Sequence, residues 1–139
     1  MKNLLILLAS CFLAFTSCES KKGSTDASAL EIEKATATNL DPVQFQEKSA
    51  NGIILDVRTP EEVAAGKISG AITMDFQQSD FLAKVKELPK DQEIYIYCAV
   101  GGRSSKAAEL FIQEGFTKVY HLSGGINAWA GAGLPVTQE

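Results

Sequence analysis

The chain has 139 residues, with 17 acidic against 13 basic side chains and a formal net charge of -4 at neutral pH. That length accommodates one domain once a leader is set aside. The charge balance supplies no basic surface for DNA or RNA, so no nucleic-acid partner is expected.

The chain opens with Lys2, an apolar run from Leu4 to Phe15, and then Thr16-Ser17-Cys18. These are the basic, hydrophobic and small-residue regions of a secretory signal over residues 1–17, and the run is too short to span a bilayer comfortably. Cys18 follows small residues and precedes a polar stretch, Glu19 to Ser28. This resembles the lipobox of bacterial lipoproteins, whose cysteine is acylated and becomes the mature N-terminus, although Phe15 stands where Leu is commoner. Leu8-Ala9-Ser10-Cys11 fits the same pattern, but cleavage there would leave Phe12 to Phe15 on the mature chain, so Cys18 is preferred. An ordinary secretory signal is the alternative. The resemblance implies a protein held to a membrane by a lipid on Cys18, in the cell envelope and facing the periplasm. With Cys11 removed and Cys18 acylated, Cys98 is the one thiol left, and no internal disulfide can form.

Residues 18–30 read as a polar tether, too poor in apolar side chains to pack, and residues 31–139 as the globular domain. Asp41-Pro42 is an N-cap followed by proline at the first helical position, predicting a helix to about Lys48. Ile53 to Val57 is a short apolar strand. Thr59-Pro60-Glu61-Glu62 combines a cap, an early proline and a capping-box glutamate, opening a brief helix before Gly66. Ala71 to Met74 is a strand, Ser79 is expected to cap a helix to about Leu88, and Glu93 to Tyr97 is a further strand. Ser104 to Glu114 is a helix ended by Gly115, and Lys118 to Leu122 the last strand. Strands alternating with helices at short intervals predict an α/β fold, a parallel sheet with helices on both faces. Ligand chemistry in such folds collects at the carboxyl ends of the strands.

Cys98 stands at one such end, where the strand gives way to a glycine-bearing loop and a helix start, Cys98-Ala-Val-Gly-Gly-Arg-Ser104. A thiol becomes a nucleophile by losing its proton, and backbone N–H groups at a helix N-terminus stabilise the anion. Gly101 and Gly102 allow the loop to curl, and Arg103 adds a positive charge. A buried structural cysteine is the alternative, but packing does not require the glycines, the arginine and the helix start together. Asp56 and Arg58 lie at another strand end. His121, alone of its kind, sits on the last strand without a cluster that could bind a metal, and nothing in the sequence calls for a cofactor. Tyr95, Tyr97 and Trp129 read as core and sheet-face residues.

Taken together these segments resemble the single-domain rhodanese family of sulfurtransferases. Leu55-Asp-Val-Arg-Thr-Pro-Glu-Glu62 is similar to the first family signature, Gly66-Lys-Ile-Ser-Gly-Ala71 to the second and Cys98 to Ser104 to the active loop. Gly124-Gly-Ile-Asn-Ala-Trp129 with Gly133-Leu-Pro-Val136 is similar to the C-terminal end. The resemblance implies that Cys98 takes a sulfane sulfur from a small-molecule donor, thiosulfate or a persulfide or polysulfide, and holds it as a persulfide. It would then pass the sulfur to a thiophilic acceptor such as a thiol or cyanide. It further implies that amides from Ala99, Val100, Gly101, Gly102, Arg103 and Ser104 ring the sulfur, with Arg103 assisting anionic substrates. Asp56, Arg58 and Glu62 would be supports. Val100 stands where thiosulfate-specialised members carry a basic residue, so thiosulfate is expected to be a poor donor. Two other functions fit the fold: a binding module without activity, and a cysteine-dependent phosphatase. Four residues, Ala99 to Gly102, separate Cys98 from Arg103, one fewer than in phosphatases of this fold class, and the loop has no acid to protonate a leaving alcohol.

Overall fold

The computed structural model describes residues 35–138. The expected signal peptide, Cys11, Cys18 and the tether lie outside them. Five strands, β1 (Thr38–Leu40), β2 (Ile53–Asp56), β3 (Ile72–Thr73), β4 (Ile94–Tyr97) and β5 (Val119–Leu122), form one sheet in the order β1-β5-β4-β2-β3. Every pairing is parallel, with Leu55 opposite both Ile72 and Ile96, and Ile96 opposite His121. The helices are α1 (Pro42–Lys48), α2 (Pro60–Ala64), α3 (Phe81–Glu87), α4 (Gly102–Gln113) and α5 (Gly125–Gly131), with a short 3-10 turn at Ser49–Asn51. Among the described residues no helix is long and apolar enough to cross a membrane.

Side chains alternate across a strand, and β4 shows how this makes two cores. Ile94 and Ile96 pack with Val85, Ala107, Phe111 and Phe116 from α3, α4 and the turn after α4. Tyr95 and Tyr97 point the other way and meet Phe45 of α1 and Ile126 and Trp129 of α5. The ring of Phe45 stands edge-on to Tyr95, Tyr97 and Trp129, at centroid distances of 5.6, 6.4 and 6.2 Å, an arrangement that aromatic quadrupoles favour. With both faces covered, β4 is buried along its whole length, as a central parallel strand requires.

The capping residues act as their sequence predicts at two helices. Asp41 Oδ1 accepts the Gln44 amide at 2.9 Å while Gln44 Oε1 accepts the Asp41 amide at 3.3 Å. At α2 the Glu62 amide donates to Thr59 Oγ1 at 3.4 Å, and the Thr59 amide to Glu62 Oε2 at 3.1 Å. At α3 the expectation is corrected: Asp80, not Ser79, is the N-cap, and its side chain makes no capping bond. The chain instead enters α3 through turns, in which Asp75 Oδ1 accepts the Gln77 amide and Gln78 O accepts the Phe81 amide. Strand β3 is shorter than Ala71 to Met74, and β1 and α5 have no counterpart among the expected elements.

Candidate functional site

Cys98 follows the last residue of β4, the middle strand of the sheet, and its side chain is 1 % exposed. Gly101 makes the turn from strand to helix with φ at 99°, a left-handed value open to glycine. That turn brings the Gly101 amide to 3.1 Å from Cys98 Sγ, to which it donates. It also starts α4 at Gly102, two residues before the expected Ser104. The first turn of a 12-residue helix therefore faces the sulfur, where the helix dipole favours negative charge. Burial pushes the Cys98 thiol up, but hydrogen bonds from the Ser104 amide and hydroxyl and from the Val100 and Gly101 amides outweigh it and hold the thiol below its ordinary value. The Ser104 hydroxyl has one proton, donated at 3.0 Å to Gly101 O; the same proton can turn to the sulfur when the thiol ionises.

The loop is fixed from the other side by α5. The amides of Ile126 and Asn127 donate to Cys98 O at 2.8 Å and Ala99 O at 3.2 Å. This close approach explains Gly125, where a Cβ would lie 2.4 Å from Cys98 O and 2.5 Å from the Ala99 carbonyl, on a backbone with φ at 60°. Gly125→Ala is therefore expected to cost about 1–3 kcal/mol in backbone strain alone, to displace the Cys98 loop and to slow alkylation of Cys98. Urea unfolding and iodoacetamide kinetics check this; an unchanged alkylation rate would show that α5 does not set the loop.

At the end of β2, Asp56 and Arg58 form a buried ion pair, with Arg58 Nη2 2.5 Å and Nε 2.9 Å from the carboxylate. Arg58 reaches on to Glu62 O at 3.2 Å and Gly66 O at 2.7 Å. Tyr97, next to Cys98, donates its phenol to Asp56 Oδ2 at 2.6 Å and accepts the Ile68 amide at 3.0 Å. Burial, reinforced by Asp56 as acceptor, pushes the Tyr97 phenol up and keeps it a donor. These contacts tie the ends of β2 and β4 to the segment after α2.

Glu62 does more than support a helix end. Its carboxylate receives both Arg103 terminal nitrogens, Nη1 at 2.7 Å and Nη2 at 2.6 Å, as well as the Thr59 amide. The Arg103 guanidinium, with the Thr59 amide, brings the Glu62 carboxyl down to about 2 against the opposing effect of burial. Arg103, expected to assist anionic substrates, is paired with Glu62, and Val100 of the same loop is 67 % exposed.

The Rhodanese-like domain family matches residues 41–132, which include all of these groups. The chain belongs to that family. A sulfurtransferase of Allochromatium vinosum is 39 % identical over 84 residues, spanning 60 % of this chain and 77 % of that protein. A tRNA uridine(34) hydroxylase of Acinetobacter baumannii is 40 % identical over 93 residues, which are 63 % of this chain but 30 % of the hydroxylase. The crystal structure of a rhodanese-related protein from Thermoplasma volcanium superposes with a TM-score of 0.67 at 32 % identity, covering 73 % of this chain and 99 % of that one. These relatives support a sulfurtransferase-like role for this rhodanese-like domain.

His121 stands apart from the rhodanese-like loop. It is buried on β5, burial pushes its imidazole down, and its Nδ1 has no partner. It borders a cavity of about 410 Å³ shared with Asn39, Ser105, Glu109 and Gln113 but with none of Cys98 to Ser104. Among the described residues no cluster of His, Cys, Asp and Glu could hold a metal ion.

Proposed function

We propose that this domain transfers sulfane sulfur through a persulfide on Cys98. The observation that carries the reading is the buried Cys98 Sγ beneath the Gly101 amide at the mouth of α4. The Cys98 thiolate attacks the outer sulfur of the donor, the donor's S–S bond breaks, and the leaving group departs with the bonding pair as sulfite from thiosulfate or as a thiolate from a persulfide. The sulfur left behind is a terminal persulfide anion, held by the amides that stabilised the thiolate. Cyanide or a thiol then takes that outer sulfur and returns the electron pair to Cys98 as thiolate. The relatives' sulfurtransferase names support this reading. The hydroxylase activity of the tRNA-modifying relatives is not carried over, because this chain spans under half of each. The short loop weighs against phosphate ester hydrolysis, and the intact Cys98 and glycines weigh against an inactive binding module. Protein loaded with a sulfane donor, stripped of free donor and then mixed with cyanide should yield up to one thiocyanate per chain; no thiocyanate from several donors would leave the binding-module reading in its place.

The sequence before the domain supports export and anchoring by a lipid on Cys18, with the domain facing the periplasm. Cys18→Ser is expected to abolish acylation and release the protein from the membrane fraction. A freely soluble wild type that begins at another residue would contradict the anchor.

A further inference from the structure

The loop over Cys98 contains one cation, Arg103, and the fold has placed an anion on it from a residue 41 positions away. Glu62 is held by both the Thr59 amide and the bidentate guanidinium, so the pair is a fixed unit built into the start of α2. Arg58, the other arginine nearby, is buried and occupied by Asp56 and by two carbonyls. Asp75 is buried close enough to act on Arg103, as Cys98 itself does. Val100, in the same loop, is apolar and exposed. With Cys98 ionised, the single cation Arg103 faces three anions, Glu62, Asp75 and the thiolate.

We infer that Glu62 sets the donor class of this site: by neutralising Arg103 it disfavours the doubly charged thiosulfate and admits alkyl persulfides that carry at most one charge. This rests on the sulfurtransferase reading above. Both donors leave the same product on Cys98, so the selection acts on approach and on the departing group. Sulfite leaves with two negative charges and a thiolate with one, and a neutralised Arg103 stabilises the first too little.

The test is Glu62→Gln, which keeps the side-chain shape and an acceptor for Thr59 but frees the guanidinium. With cyanide as acceptor, its kcat/KM for thiosulfate relative to propyl persulfide generated in situ should rise at least about tenfold over wild type. Alkylation of Cys98 gives a readout independent of sulfur transfer: the rate ratio of iodoacetate to iodoacetamide should rise in the same variant and fall in Arg103→Gln. Glu62→Ala, which also loses the carboxylate's bond to the Thr59 amide, should shift both ratios upward even at reduced stability. Equal changes for both donors with unmoved alkylation ratios would overturn the inference and leave Glu62 a structural prop. A wild type that accepts sulfur from neither donor would instead defeat the sulfurtransferase reading, and the donor preference with it.

Discussion

Cys98→Ser is expected to fold like the wild type and to lose sulfur transfer by at least roughly a thousandfold, the scale seen when a covalent nucleophile is removed. The replacement is nearly isosteric, and a serine hydroxyl can accept the Gly101 amide that now donates to Sγ at 3.1 Å, so the stability change should stay near about 1 kcal/mol. What disappears is the ionisable sulfur. The amides of Val100, Gly101 and Ser104 bring the Cys98 thiol below its ordinary value against the opposing effect of burial, but the same groups cannot deprotonate an aliphatic hydroxyl near neutral pH. Urea unfolding with a cyanide-acceptor assay separates the two effects. Transfer retained above about a tenth of wild type would place the nucleophile elsewhere.

Asp56→Ala should produce the largest loss of stability, about 3–5 kcal/mol, because it strands a buried guanidinium. Both partners are almost wholly buried, and Asp56 also accepts the Arg58 amide at 3.0 Å and the Tyr97 phenol at 2.6 Å. Arg58 would retain the carbonyls of Glu62 and Gly66 but no countercharge. Since Tyr97 immediately precedes Cys98 and holds the Ile68 amide, the variant should also transfer sulfur more slowly at temperatures where it remains folded. Chemical denaturation checks the magnitude; a loss below about 1 kcal/mol would show that the cluster is neither dry nor coupled to the fold.

The parts of this domain legible in the sequence are those determined by near neighbours. Thr59 and Glu62 form the capping box their spacing predicts, Asp41 caps α1, and the apolar runs at Ile53 and Glu93 mark two strands of the sheet. The Cys98 loop was visible because glycines, a cation and a helix start follow the strand within a few residues. Strand β1 was not, since it has three residues and only Leu40 is buried; its pairing with β5 is a tertiary fact. Helix α5 has no counterpart among the expected elements, although Gly124-Gly125 before the apolar pair Ile126 and Trp129 is a signal for its start. Its clamp on the Cys98 and Ala99 carbonyls depends on Gly125 approaching the loop backbone, which no local pattern announces. The pairing of Arg103 with Glu62 is hidden in the sequence for a related reason. A free cation and one paired to Glu62 look alike in sequence, and α2 must dock against the loop before they differ.

The chemistry on Cys98 is tested most directly by a mass spectrum of the intact chain, with peptide mapping, before and after exposure to a sulfane donor. The expected result is a gain of one sulfur atom on the peptide that contains Cys98, reversed by cyanide or a small thiol and absent from Cys98→Ser. Sulfur transfer that proceeds while the Cys98 peptide never carries the added sulfur would contradict a covalent role for this residue.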